Sequence, residues 1–457
     1  MNTHVPPLKV SPGSAIQNAC ITAPLANLPN AKSLRSSLSW ECTAQGKPRK
    51  TYKNAMLSLQ ALGIQAQRNT FSDKTILDNT IGSTWLPADH VGPLTDNAVN
   101  LIRKIIQDQV GYDPGKEMLH DAIKSLAEEA RYNPIEEWFT FLSWDGRRRL
   151  ADWLPRLTGA PNTRLFRKAG AVFILMMVMR ARFPGSKADL CVVLEGEQGC
   201  GKSSLLRVLS SAPGDGYFAD APGLIAMENK CRAELIAGKW LVELAELSGL
   251  AKSDTEGVKA FLTQCSDQYR PPYATVAVDR PRTCIFVATT NATTYLPDAT
   301  GNRRFLPIPC GTIDLNAVRA EREQLFAEAG IIVRRLIRKS IPPGKVQAGR
   351  ALPDDLACKF ALPRKLWSMA AGLAEDRRVV DPIEEALPDV ASTLEKKSMC
   401  RLPDGRKFIR SKDLLADLRI AVNGRVTNHG LATWMKNLGW DKVKYGRGAQ
   451  QMRGYAK

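Results

Sequence analysis

Apolar residues recur at helical spacing through the first third of the chain. Tyr52 to Leu62 carries them three and four apart and stops at Gly63, and Thr95 to Asp108 repeats the pattern with Thr95 placed as an N-cap. Lys116 to Arg131 is amphipathic. Pro134 opens a further helix from Ile135 to Leu142, which ends at the turn-like Trp144-Asp145-Gly146 ahead of Arg147, Arg148 and Arg149. This pattern predicts an all-α N-terminal domain over residues 36–160, behind a flexible polar lead over 1–35. The strongest apolar block, Ala169 to Met179, is too short to cross a bilayer and ends at Arg180 and Arg182, so it reads as a core helix.

The texture changes at Leu190. Leu190 to Glu195 is a continuous apolar strand candidate that runs into a Gly-rich turn and then a helix. Trp240 to Leu244 and Thr283 to Thr289 are further buried-strand candidates separated by helical or mixed segments, the alternation that a parallel sheet with crossover helices requires. An α/β domain over 161–345 follows from this, bounded by Pro342-Pro343-Gly344. A helical linker is expected over 346–387, with a helix from Pro363 to Glu375 and a Pro-containing stretch near Asp381 to Leu387. The last segment, 388–457, holds helix candidates at Ser411 to Ile420 and Asn428 to Leu438, then a strand-like return through Val443 and Tyr445 to Arg453.

Composition changes the picture most at the C-terminal end. The formal charge is +18, and residues 401–457 hold 13 Lys/Arg against four Asp/Glu, so half of the excess lies in that segment. A basic module of this kind suits a polyanion, because each phosphate neutralised by Lys or Arg releases condensed counterions. Helix, helix and basic hairpin resemble a winged helix, with Asn428 to Leu438 as recognition helix and Lys442, Lys444, Arg447 and Arg453 on the wing. The 10 cysteines form no CxxC pair and no metal-ligand cluster, which suits a reduced cytoplasmic protein. The N-terminus lacks the basic head and apolar block of a secretory signal.

The chemistry centres on Gly196-Glu197-Gln198-Gly199-Cys200-Gly201-Lys202-Ser203, which satisfies GxxxxGK[ST] between a strand and a helix. Gly196, Gly199 and Gly201 let the backbone curl until its amides face phosphates. Lys202 supplies charge to the β and γ oxygens, the Ser203 hydroxyl serves Mg²⁺, and Ser204 begins the helix whose positive end faces the anion. An acid is expected at the end of the neighbouring strand: Glu246 first, lying just beyond the apolar run, and Glu243, inside it, second. Asn291 closes a third strand and suits a hydrogen bond to water or γ-phosphate. Arg303 and Arg304 follow Gly301-Asn302 and suit an arginine finger, one of the two reaching a neighbour's nucleotide.

The ordered set of Trp144-Asp145-Gly146, Pro184-Gly185-Ser186-Lys187, the glycine loop, WLVELAEL from Trp240, DQYRPPY from Asp267, TTN from Thr289 and GNRRF from Gly301 resembles the virulence-associated protein E family over roughly residues 95–345. That resemblance implies an AAA+ core similar to superfamily 3 replicative helicases of phages and mobile islands. Lys202 and Ser203 would take Walker A roles, Glu246 with Glu243 the Walker B role, Asn291 the sensor role and Arg303 or Arg304 the finger. It also implies a β-hairpin between Gln264 and Arg282 lining a DNA channel, with Arg270, Tyr273, Arg280 and Arg282 gripping DNA. ATP, Mg²⁺, single-stranded or forked DNA and a homo-hexamer are the expected cofactors and partners, with no membrane. An ATP-dependent DNA helicase or replication initiator motor is expected, the alternative being a DNA-binding ATPase switch without processive unwinding.

Overall fold

The computed structural model describes residues 39–78, 86–245, 255–270, 276–296, 304–340, 349–379, 382–397, 401–423, 426, 431–446 and 452–457. The expected lead over 1–35 lies outside them. The chain divides into two units, residues 1–293 with 301–374 and residues 375–457 with 294–300.

In the first unit, helices α1 (Tyr52–Ala61), α2 (Asp96–Val110) and α3 (Lys116–Glu129) start where the sequence places them. Thr51 and Thr95 accept hydrogen bonds from the third amide of their helices, Asn54 N and Ala98 N. Their apolar faces share a core of Ala55, Leu59, Val99, Ile102, Ile106, Leu119 and Ile123.

The region is not all-helical. Strands β1 (Gln65–Asn69), β2 (Lys74–Asp78), β3 (Gly92–Pro93) and β4 (Arg131–Tyr132) form a sheet in the order β3-β2-β1-β4. The β1–β2 hairpin is antiparallel, Gln65 facing Asp78 and Asn69 facing Lys74. Its turn is locally driven, since Asn69 Oδ1 accepts from Phe71 N and Ser72 N, both at 3.0 Å, and Arg68 pairs with Asp73. The buried positions Ala66, Thr75 and Leu77 alternate with more exposed ones, Ile76 among them. That period of two is carried by few large apolar residues, which hid the strands.

The main core begins before residue 160. Helices α4 (Pro134–Phe141), α5 (Trp153–Thr158) and α6 (Arg164–Arg182) contribute Ile135, Phe139, Trp153, Leu154 and Ile174 to the same cluster as the central sheet, joined by Leu150 from the loop before α5. Pro134 occupies the first turn of α4, capped by Asn133. Helix α6 is buried on almost every side from Leu165 to Ala181. Gly170 permits its approach to α5, because a Cβ there would lie 2.5 Å from Leu154 Cβ. Among the described residues no helix is long and apolar enough to cross a membrane.

Five parallel strands, β5 (Cys191–Glu195), β6 (Phe218–Asp220), β7 (Leu241–Ala245), β10 (Ile285–Thr290) and β11 (Phe305–Pro309), lie in the order β11-β5-β10-β7-β6. Strands β5, β7 and β10 fall where the apolar runs predict them, and β6 and β11 are additional. Helix α7 (Lys202–Ser210) follows β5, α8 (Asn229–Ile236) precedes β7, and α9 (Thr255–Thr263) leads to a separate antiparallel pair, β8 (Ser266–Tyr269) with β9 (Val278–Pro281). Helix α10 (Leu315–Ser340) buries Leu325, Phe326, Ala329 and Val333. The Trp240 ring lies 4.8 Å from Phe326, and its Nε1 donates to the Met177 carbonyl of α6 at 2.8 Å. Helix α11 (Trp367–Glu375) closes the unit.

In the second unit the stretch read as a linker is a helix, α12 (Pro382–Lys397), with Pro388 inside it and Leu387 and Ala391 buried. These residues join Ile409, Leu414, Leu418, Leu431, Met435 and Trp440 in one core, so the module starts earlier than residue 388. Strand β12 (Phe408–Arg410), α13 (Ser411–Ala421), α14 (Leu431–Asn437), β13 (Asp441–Tyr445) and β14 (Met452–Ala456) complete it, in the sheet order β12-β14-β13. Helix α14 corresponds to the latter part of the expected Asn428 to Leu438, whose first three residues lie outside the described set. Gly454 is where these strands meet most closely: a Cβ would run into the Ile409 carbonyl oxygen and the Phe408 ring. Gly454→Ala is therefore expected to destabilise this unit by about 3 kcal/mol, at the upper end of overpacking costs. Urea unfolding followed through the Trp440 environment measures it, and an unchanged midpoint would mean the strands can part without penalty.

Candidate nucleotide site

The glycine loop leaves the carboxyl end of β5 and turns into α7. Gly196 is required by proximity, since a Cβ would stand 2.8 Å from the Cys310 carbonyl oxygen, while Gly199 and Gly201 sit at φ +86° and +100°, where L side chains are strained. Backbone bonds pin the loop at both ends: Gly196 N donates to Thr290 O at 3.2 Å, and Ile313 N to Cys200 O at 3.1 Å. The helix begins at Lys202, two residues ahead of the expected Ser204, because Gly201 in the left-handed region already serves as its N-cap. Ser204 thus lies within the first turn, with Lys202 and Ser203. Lys202 Nζ donates to Gly196 O at 2.7 Å and Glu197 O at 2.8 Å, folding its charge over the loop's own carbonyls.

Strand β10 lies between β5 and β7, and this order brings three side chains together. Glu243 on β7 is 1% exposed. Its Oε1 accepts from Ser203 Oγ at 2.7 Å and from Thr289 Oγ1 at 2.6 Å. Its Oε2 is buried and has no hydrogen-bond partner among the described residues. A buried carboxylate oxygen left without a donor is costly. It fits a hard cation, so Ser203 and Glu243 form an oxygen donor set suited to Mg²⁺. Thr289 was read from the sequence only as part of an apolar strand; its hydroxyl beside an embedded acid, in the TTN triplet, was the available signal. Glu246 lies outside the described residues.

Asn291 is exposed at the carboxyl end of β10, directly after Thr290, which pairs with Glu195 at the start of the loop. Arg304 stands elsewhere. Phe305 pairs with Cys191 and Pro309 with Glu195, so Arg304 precedes the amino end of β11, opposite the loop. A strand rise of 3.3 Å per residue separates it from its own loop by about 15 Å along the sheet. The guanidinium is half-buried and its Nε has no acceptor among the described residues. Arg303 lies outside the described residues.

The β8–β9 pair sits between α9 and β10, in the interval expected to hold a hairpin. Arg270 is exposed and Arg280 half-buried, with Nη1 3.5 Å from the Tyr269 hydroxyl; Tyr273 lies outside the described residues. Arg282 is not available to DNA. It is 3% exposed, bonds both Asp267 oxygens at 2.6 and 2.7 Å, reaches Phe261 O and Gln264 Oε1, and lies 4.1 Å from the Phe261 ring centre. The family resemblance had grouped it with DNA-gripping residues. Its place at the root of the pair, one residue beyond β9, makes it an anchor instead.

In the second unit Lys442, Lys444 and Arg453 are exposed, and Lys444 and Arg453 face each other across the β13–β14 ladder. Like charges held opposite one another are unfavourable unless an anion approaches. Arg447 lies outside the described residues.

Residues 139–342 match the model of the virulence-associated protein E-like domain. Among solved structures, the apo C-terminal region of NrS-1 (residues 305–718) is similar at a TM-score of 0.49 and 12% identity, covering 89% of this chain and 99% of that one. A second form of the same region gives a TM-score of 0.48 at 12% identity, with coverage of 88% and 98%. No curated protein matches the chain.

Proposed function

Taking the virulence-associated protein E-like domain at residues 139–342 as premise, we propose that this chain is an ATP-driven DNA motor of the superfamily 3 type, serving replication of a phage or other mobile element. The observation that carries this reading is the Ser203–Glu243–Thr289 group at the mouth of the glycine loop. The loop amides and the first turn of α7 would receive the phosphates, and Lys202 would exchange its carbonyl partners for the β and γ oxygens. Mg²⁺, held by Ser203 and Glu243, would neutralise charge developing on the transferred phosphoryl group. Asn291 would orient the attacking water.

Arg304, on the far side of the sheet from its own loop, suits a finger supplied to a neighbour's nucleotide in a ring, for which a hexamer is the expected form. The α12-β12-α13-α14-β13-β14 order supports a winged helix on DNA, with Lys442, Lys444 and Arg453 contacting the backbone.

The test is DNA-stimulated ATP hydrolysis together with displacement of a labelled strand from a forked duplex. Stimulated hydrolysis with no displacement at any protein concentration would reject the motor in favour of an ATPase switch. Mixing Arg304→Ala with Lys202→Ala subunits should restore part of the activity, because one of the two orientations of a mixed interface pairs an intact Lys202 with an intact Arg304. No recovery would argue against a shared site.

A further inference from the structure

A cavity of about 710 Å³ opens in the first unit between the amino end of α6, the second half of α10, the Trp144 to Ala151 loop and residues 363–366. Six cations line it: Arg148, Arg164, Arg167, Lys168, Arg335 and Lys365. None of the six has an ion pair or side-chain hydrogen bond among the described residues. The only acid in the lining, Glu328, is already engaged, its Oε2 accepting from Arg149 N at 2.7 Å and Leu150 N at 2.9 Å. The floor is apolar, with Leu150, Ile331, Ile332 and Leu366 beside the half-buried Trp144.

The cavity is built by specific bonds. Asp145 holds Arg149 through both oxygens at 2.8 and 2.7 Å and accepts from Arg147 N, while Gln324 bonds Asp145 N and the Ser143 carbonyl. These contacts turn Arg149 toward α10 and leave Arg148 on the cavity. The first turn of α6 contains Arg164 and Arg167 and no acidic residue. Cations at a helix's positive end are unfavourable without an anion to meet them.

The site is remote from the glycine loop. Leu315 packs near Gly201, and Ile331 to Arg335 lie 16 to 20 residues further along α10, about 25–30 Å at 1.5 Å per residue.

We propose that this cavity is a second, nucleotide-independent site for single-stranded nucleic acid, with phosphates along the cationic rim and a base against Trp144 on the apolar floor. Four of the six cations are arginines, whose forks suit phosphate oxygens, and an aromatic face with an apolar base accepts any nucleobase. The proposal does not rest on ATP hydrolysis, so the two readings fail separately.

The full chain, without nucleotide, is titrated with a labelled oligothymidylate across a salt series. Arg164→Ala/Arg167→Ala should weaken binding about tenfold or more at low salt. The log–log salt slope should become shallower by about 1.4, from 0.7 per lost phosphate contact on a single strand. Arg164→Lys/Arg167→Lys should retain the slope. If the alanine pair does not fold, Arg148→Ala/Lys365→Ala asks the same question from the facing wall. Wild-type affinity and slope in a folded alanine pair would overturn the proposal. So would an acidic peptide with an apolar end that binds the wild-type cavity, loses binding in the variant and is not displaced by oligothymidylate, which would assign the cavity to a protein partner.

Discussion

Lys202→Ala will lower ATP turnover by roughly 10²–10³-fold or more, the usual loss when one preorganised charge donor is removed from a developing oxyanion. The ammonium already lies at the loop, 2.7 Å from Gly196 O and 2.8 Å from Glu197 O, so no rearrangement of the backbone is needed to present it. On the proposed reading, its loss removes the one lysine charge from the γ-phosphate and leaves the first-turn amides, Mg²⁺ and a neighbour's arginine to meet it. Steady-state hydrolysis and calorimetric titration of ATP with Mg²⁺ measure the effect. Turnover within a few-fold of the wild type would mean that the loop does not bind the triphosphate tail and that the motor reading fails. Glu243→Gln separates the parts: it keeps the shape and one acceptor for Ser203 and Thr289, so ATP binding should persist while hydrolysis falls.

Arg282→Ala will destabilise the first unit by about 3–5 kcal/mol, because breaking a buried pair strands the opposite charge. Asp267 would lose both of its guanidinium bonds, and the ring of Phe261 would lose the nearer of the two guanidinium groups over it, Arg232 remaining. Urea denaturation measures the loss, with Arg270→Ala, exposed on the same segment, as the comparison expected to stay close to wild type in stability. The opposite pattern, a stable Arg282→Ala protein with weakened DNA binding, would return Arg282 to the role that the family resemblance implies.

Long apolar runs and capped helices were readable from the residues alone. Leu190 to Glu195 and Thr283 to Thr289 became neighbouring strands, and Thr95 caps the helix it precedes. Short polar strands were not. Lys74 to Asp78 earns its place through pairing with Gln65 to Asn69, a contact that periodicity within one segment does not encode. Phe305 to Pro309 was masked by its prolines, and Pro382 to Lys397 by Pro388, which reads as a breaker until tertiary packing of Leu387 and Ala391 offsets the missing bond. At the candidate site the motif identified the loop, yet the bond from Ser203 to Glu243 required knowing that β10 inserts between their strands. Arg282 failed for a related reason: an arginine in a basic stretch looks the same whether it faces solvent or a buried aspartate.

The prolines of β11 have a consequence for assembly. Cys310 N donates inward to Glu195 O, so by alternation the amides at 305, 307 and 309 would point away from the sheet, and two of these positions are proline. The outer margin of the strand therefore offers almost no donors, and another chain cannot dock there by lengthening the ladder. Any partner that meets this margin must therefore do so through side chains, with no shared backbone seam to unzip when the contact is released.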